Sequence, residues 1–298
     1  MYHLNNHLSP APPIPWSEGE CEMNKTFGVI GGDRRQAELS HLLARDGHCV
    51  RTYGLDRWKG VGADTLDHAA SADIVILPLP LCRGDGVLNC EEGAVPTADL
   101  FRRLRPRQRI LAGQVRPRQR QEAEALGLTV EDYFLREELA VANAAATAEG
   151  AVQTAMERLD RTLLGMECLV IGFGRIGKLL SHRLHGLGAH VTATARKPED
   201  LAWIRAYGYR AMETGGLDGS LDDFGAVFNT VPSPVLTGPL TAQLPRDCLC
   251  VDLASVRGIE TLEDGPEVLW ARSLPGKLVP QSAAAAIRDA VYYILSEE

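Results

Sequence analysis

What this chain lacks narrows the field before any motif is found. No apolar run among its 298 residues is long enough for a bilayer, so no membrane-spanning helix is expected. The first residues, Met1 to Trp16, have neither a basic start nor a continuous apolar core, and no signal peptide is read. Positive charge is in deficit: 31 Lys and Arg face 39 Asp and Glu, and the formal charge of −8 argues against binding nucleic acid by neutralising phosphates. The seven cysteines, at 21, 49, 82, 90, 168, 248 and 250, include no CxxC pair, and none stands in a triad context. A GxSxG nucleophile turn is also missing. Cys49, Cys168, Cys248 and Cys250 fall in strand-like apolar segments, where a reduced thiol acts as a small hydrophobe, as a cytoplasmic protein would have it.

What remains is a globular composition, 45% hydrophobic and 23% charged, long enough for two domains with separate cores. Residues 1–24 read as a leader rich in Pro, Asn and Ser. A β/α rhythm follows, with strand-like runs at 27–31, 49–53, 74–79, 109–115 and 128–133 and helix-like segments at 34–46 and 117–126. An Ala-rich stretch without proline, 136–164, predicts one long helix. A second rhythm has strands at 168–173, 190–195, 209–212, 226–231, 248–253 and 268–271, and a helix at 281–295 ends the chain. The expected fold is α/β: two doubly wound parallel-sheet (Rossmann-like) domains joined by long helices. The expected division is a substrate domain at 25–137 and a dinucleotide-binding domain at 138–280, with the helix at 281–298 crossing back to the first.

The sharpest local signal is Cys168-Leu-Val-Ile-Gly172-Phe-Gly174-Arg175-Ile176-Gly177, an apolar strand running into a helix. In such a turn Gly172 allows the bend, Gly174 lets backbone approach a pyrophosphate, and Gly177 lets helix and strand pack closely. The helix N-terminus adds free amides and partial positive charge. At the end of the next strand an NAD site would place a carboxylate for the ribose 2′-hydroxyl, but the chain reads Thr194-Ala195-Arg196-Lys197. Arg196 and Lys197 could face a 2′-phosphate, with Thr194 or Ala195 leaving room, so NADP is read, with NAD possible. Asn229-Thr230-Val231-Pro232 leaves a later strand and could lie along the nicotinamide or ribose, or be an ordinary stiffened turn. Ser255 and Arg257 leave another strand and are candidates to touch cofactor or substrate.

A second turn, Gly28-Val-Ile-Gly-Gly-Asp33-Arg34-Arg35-Gln36, lacks the GxGxxG spacing. Asp33 with Gln36 makes a capping box, or the turn's amides with Arg34 or Arg35 hold a substrate carboxylate; sequence alone leaves both open. His182 and His185 stand three apart on a helix with no third ligand, so no metal is expected. Met156, Met166 and Met212 read as core filling, and the Arg-rich stretch at 102–120 as a solvated helix face.

Four elements occur in order: Val29-Ile-Gly-Gly-Asp-Arg-Arg-Gln36, Ile171-Gly-Phe-Gly-Arg-Ile-Gly177, Val251-Asp-Leu-Ala-Ser255 and Leu274-Pro-Gly-Lys-Leu-Val-Pro280. On these the chain resembles the dipicolinate synthase A-subunit family, from about Lys25 to Leu295. The resemblance implies oxidation of a ring derived from 4-hydroxy-tetrahydrodipicolinate, through dihydrodipicolinate, to dipicolinate during bacterial sporulation. It also implies a flavoprotein-like dipicolinate synthase B-subunit as partner and a mother-cell cytoplasm. A homo-oligomer is expected. A small dicarboxylate substrate needs two anion-holding points, and Arg34, Gln36, Ser255, Arg257 and Lys277 are the candidates. Asp33 and Lys277 are read as catalytic, with Glu137 and Glu149 as further proton acceptors. Two other readings stand beside this. A 2-hydroxyacid or amino-acid dehydrogenase of the same plan is weakened by the absence of any His from 254 to 298. A non-catalytic NADP-binding regulatory protein remains open.

Overall fold

The computed structural model describes residues 25–297 apart from Asp85 and Glu92; the leader expected at 1–24 lies outside the described residues. The first half contains β1 (Thr26–Ile30), α1 (Arg34–Arg45), β2 (Cys49–Tyr53), α2 (Leu66–Ala70), β3 (Ile74–Ile76), β4 (Cys82–Arg83), β5 (Val87–Leu88), α3 (Thr97–Phe101), β6 (Arg109–Ala112), α4 (Pro117–Glu124) and β7 (Val130–Asp132). Helix α5 (Glu137–Arg158) leads to the second half: β8 (Glu167–Ile171), α6 (Arg175–Gly186), β9 (His190–Ala195), α7 (Pro198–Ala206), β10 (Arg210–Glu213) and β11 (Ala226–Asn229). There follow α8 (Gly238–Thr241), β12 (Leu249–Asp252), β13 (Glu267–Trp270), α9 (Leu274–Leu278) and α10 (Pro280–Ser296).

The strands form two parallel sheets, five-stranded in the order β2-β1-β3-β6-β7 and six-stranded in the order β10-β9-β8-β11-β12-β13, with β4 and β5 as a small antiparallel pair. The α/β expectation is borne out. Helices cover both faces of each sheet, which is why the central strands read as unbroken apolar runs: Val170, Ile171, Val227 and Phe228 are completely buried. Strand order reverses between β1 and β3 in one sheet and between β8 and β11 in the other. Open parallel sheets collect ligands at such crevices.

Two helices tie the halves together. Leu139 of α5 packs with Val29 and Ile76 of the first sheet and with Tyr133 just after it, whereas Ala148, Ala151 and Ala155 pack with Val170 and Val251 of the second. Ala284, Ile287, Val291 and Ile294 of α10 return to the first sheet beside Phe27 and Val29. The glycine inside α5 has a packing reason: a Cβ on Gly150 would stand 3.0 Å from Leu274 Cβ and 3.1 Å from Leu278 Cδ1, so the gap is needed for α9.

Several expectations are corrected. The long helix stops at Arg158, six residues short of the predicted 164, because Leu159 turns to extended backbone. The arginines of 102–120 lie largely on loops, where Arg102 and Arg103 pair with Asp99 and Asp67, while Arg109 on β6 pairs with Glu131. Met156 is exposed at the end of α5, unlike the buried Met166. Cys49, on the edge strand β2, is exposed, while Cys82, Cys90, Cys168, Cys248 and Cys250 are buried. Burial pushes the Cys82 thiol to about 11 and the Cys168 thiol to about 12, which leaves both protonated and inert.

Candidate functional site

The turn from β8 to α6 is built for close approach. Gly172 takes φ +95°, and a Cβ there would meet Thr230 Oγ1 at 2.6 Å and Val231 Cγ2 at 2.8 Å. A Cβ on Gly177 would overlap the carbonyl oxygen of Gly172. Gly174 has nothing within 4 Å of its Cβ direction and caps α6 without any side-chain hydrogen bond. The amides of Gly174, Arg175, Ile176 and Gly177 have no acceptor among the described residues, and the first bond of the helix is Lys178 N–H to Gly174 O. Free amides converging on open space, at the reversal of strand order, fit the pyrophosphate of a dinucleotide. Arg175 stands at the same mouth and is held by Glu137, Nη2 to Oε2 at 2.7 Å and Nε to Oε1 at 2.9 Å. That hydrogen-bonded pair keeps the Glu137 carboxyl below its ordinary range and so binds its proton less well, a poor starting point for a proton acceptor.

The end of β9 divides its residues between two tasks. Thr194 is fully buried; its Oγ1 accepts from Gly172 N at 3.2 Å and from Thr214 Oγ1 at 3.1 Å. It therefore fastens the Gly-rich turn and lines no space for a phosphate, contrary to the expectation. Ala195 is buried, and the exposed Arg196 and Lys197 follow it. Lys197 reaches Glu199 only at 3.9 Å, and Arg196 has no partner among the described residues. The cations thus flank the strand end where a ribose 2′ substituent would lie.

Asn229 is corrected as a cofactor contact. It is completely buried, its Nδ2 donates to Asp252 Oδ1 at 2.8 Å, and its Oδ1 accepts from Val231 N at 3.0 Å. Thr230 and Val231 remain half-buried against Gly172, and Pro232 is exposed, all at the mouth of the turn. Asp252, which no motif singled out as functional, also accepts from Ala254 N at 3.2 Å, Gly258 N at 2.7 Å and Ile259 N at 3.1 Å. Its carboxylate shapes the loop that presents Ser255 and Arg257 to solvent.

The first turn, by contrast, is sealed. Gly31 N–H donates to Tyr53 O and Gly32 N–H to Asn89 O, which leaves neither amide for a ligand. Asp33 is the cap of α1, and the complete capping box with Gln36 is present. Its carboxylate also accepts from Arg35 Nε at 2.9 Å and Nη2 at 2.8 Å. The capping box therefore prevails, and Asp33 is withdrawn as a free proton acceptor. Gln36 is buried as part of that box, so it reaches no open site. Arg34 points outward to Glu38 at 3.4 Å, whereas Arg35 is buried and also donates to Leu79 O. Glu149 is spent on Arg183 at 2.8 Å. Lys277 on α9 is exposed and without a partner among the described residues, and a Cβ on its neighbour Gly276 would meet Arg35 Nε at 3.0 Å and Asp33 Oδ2 at 3.1 Å. The Leu-Pro-Gly-Lys and Gly-Gly-Asp-Arg-Arg-Gln elements, far apart in sequence, touch in space. His185 packs edge-on to Tyr209 at 5.4 Å, and no group of metal-ligating side chains occurs among the described residues.

Two parallel sheets with the strand orders above define a two-domain α/β protein of the Rossmann type. A transhydrogenase structure from Sinorhizobium meliloti shares that fold, with a TM-score of 0.66 at 16% identity over 91% of this chain and 92% of that one. Within this class the chain is similar to the A-subunits of dipicolinate synthase, the family that its motifs resemble. Residues 26–134 match the family described as the N-terminal domain of the dipicolinate synthase A-subunit. The A-subunit of Bacillus subtilis (strain 168) is 27% identical over 284 residues, covering 91% of this chain and 96% of that protein. The crystal structure of the A-subunit from Bacillus halodurans superposes with a TM-score of 0.82 at 25% identity, covering 92% of this chain and 98% of that one.

Proposed function

We propose that this chain is an NADP-dependent oxidoreductase that converts dihydrodipicolinate to dipicolinate, acting with a B-subunit in the mother-cell cytoplasm of a sporulating bacterium, as a homo-oligomer. The observation that carries the reading is the open amide cradle at Gly174–Ile176–Gly177, in a chain whose other motifs are those of the A-subunit family. In this reading 138–280 is the cofactor domain and 25–137 the substrate domain. The four amides of the cradle hold the pyrophosphate, Thr230, Val231 and Pro232 border the nicotinamide ribose, and Arg196 and Lys197 hold the 2′-phosphate. The bound nicotinamide supplies a hydride acceptor. The substrate ring loses one hydrogen as hydride and a second as a proton, and aromatisation drives both losses, so the protein's work is orientation. Arg257 and Ser255 hold one carboxylate; Lys277, an unpaired cation beside the junction of the halves, holds the other and stabilises charge developing on the ring.

The test is to incubate purified protein with NADP and dihydrodipicolinate, with and without the B-subunit, and to watch for the pyridine ultraviolet band. Absence of the band under both conditions counts against the reading. The second reading, a cofactor-binding protein whose chemistry is completed by its partner, draws support from the ion pairing of Asp33, Glu137 and Glu149. NADP binding without turnover, even with the B-subunit present, selects it. The variant carrying Arg196→Gln and Lys197→Gln is expected to shift the NADP-to-NAD affinity ratio toward NAD by about tenfold, read by calorimetry, since each removed cation is a charge-assisted partner of the 2′-phosphate. An unchanged ratio removes the argument for NADP.

A further inference from the structure

Many arginines flanking the sheets are paired with carboxylates; among the described residues Arg257 and Arg272 belong to those that are not. Arg257 and Arg272 both lie against Trp270, with guanidinium carbons 5.1 Å and 4.8 Å from its ring centroid, and neither has a carboxylate partner among the described residues. The ring that both contact is fixed: Trp270 Nε1–H donates to Ala254 O at 2.9 Å, in the loop organised by Asp252. Arg272 is followed by Ser273, a non-glycine residue in left-handed backbone (φ +60°), and then by α9, whose Gly276 lies against Arg35. Unfavourable backbone of this kind persists where the surroundings demand it, commonly at ligand sites. The pair stands at the carboxyl ends of β12 and β13, the edge on which open parallel sheets bind ligands.

We propose that Arg272, together with Arg257 and held by Trp270, forms a specificity-determining anion clamp for a planar carboxylate substrate. Trp270 lies against both planar forks, and each retains free N–H groups for a bidentate carboxylate contact. This deepens the proposed function and rests on it only for the identity of the ligand, pyridine-2,6-dicarboxylate. Arg272 carries no cofactor role in this arrangement, so its loss should leave NADP binding intact.

The experiment measures, by calorimetry with NADP present, the binding of pyridine-2,6-dicarboxylate, pyridine-2-carboxylate and succinate to wild type, Arg272→Gln, Arg257→Gln and Trp270→Phe. The expected result is that each Arg variant weakens pyridine-2,6-dicarboxylate by about tenfold or more, the loss of one charge-assisted contact, with NADP affinity unchanged within about twofold. Binding of pyridine-2,6-dicarboxylate by wild type and both Arg variants alike overturns the clamp and the carboxylate role given to Arg257, and leaves the proposed reaction standing. Binding only of another carboxylate, in an Arg272-dependent way, keeps the clamp and overturns the substrate assignment. Failure of all three to bind wild type overturns both. Trp270→Phe keeps an aromatic face but removes the hydrogen bond to Ala254, and should fall between wild type and the Arg variants; if the Arg variants lose their fold, as read by thermal melting, this milder variant decides.

Discussion

Gly177→Ala should abolish NADP binding and destabilise the second half by about 2–3 kcal/mol, the scale of an overpacked core position. The added methyl has nowhere to go, because the atom it overlaps is the carbonyl oxygen of Gly172, and backbone cannot rotate aside as a side chain does. Gly172 is itself held by the hydrogen bond from its amide to Thr194 and by the packing of Thr230 and Val231. The start of α6 must therefore lift off β8, carrying with it the amides of Gly174, Arg175 and Ile176. Gly186→Ala, at the far end of the same helix with nothing within 4 Å, is the control and should fold as wild type or slightly better. Urea unfolding and calorimetric titration with NADP measure both effects. A Gly177→Ala protein with wild-type stability and cofactor affinity would sink the assignment of this turn.

The contrast between the two Gly-rich turns explains how far sequence could take the site. Both join an apolar strand to a helix, and both stand where strand order reverses. Spacing distinguished them: GxGxxG at 172–177 leaves amides free, whereas Asp33 and Gln36 close the other turn with a capping box. The spacing was local and legible; the capping box was legible only as one of two alternatives. The seal of the first turn by Asn89 and Tyr53 was not, because it depends on a loop and an edge strand distant in sequence. The choice between Arg34 and Arg35 was hidden for a related reason. Adjacent helix residues point about 100° apart, and only the tertiary position of Leu79 O determines which guanidinium is swallowed.

The fold was read more completely than the site. Strands buried on both faces announce themselves as continuous apolar runs, so β1, β8, β9 and β12 were found close to their true bounds. Most of the elements missed were too short to show a period: α2, α3, α8 and α9, of four or five residues, and the two-residue strands β4 and β5; the nine-residue α7 was also not read. Helix α9 matters most among them, since it brings Gly276 against the Arg35–Asp33 pair and so fastens the two halves where the substrate cleft is proposed.

Asp252→Asn should cost about 2–4 kcal/mol of stability and weaken both cofactor and carboxylate binding, although residue 252 touches neither ligand in the proposed arrangement. Its carboxylate is fully buried and serves as acceptor for Asn229 Nδ2 and for the amides of Ala254, Gly258 and Ile259. Each oxygen accepts from two donors, so an asparagine of the same shape must turn its NH2 group toward two of them. Donors then face donors in a site without solvent, and two N–H groups lose their acceptor. The loop from Ala254 to Ile259 has no room to re-form around the error, since a Cβ on Gly258 would already meet Ser233 O at 2.7 Å. Arg257 loses its fixed position in consequence, and Val231, tied to Asn229, loses its own against Gly172. Asp252→Asn should therefore lower NADP and pyridine-2,6-dicarboxylate affinities together, whereas Arg272→Gln lowers only the second. Thermal melting with calorimetry on the two variants checks this. Wild-type melting for Asp252→Asn would mean that the Asp252 network does not hold the loop, and the coupling between the two ligand positions would have to run elsewhere.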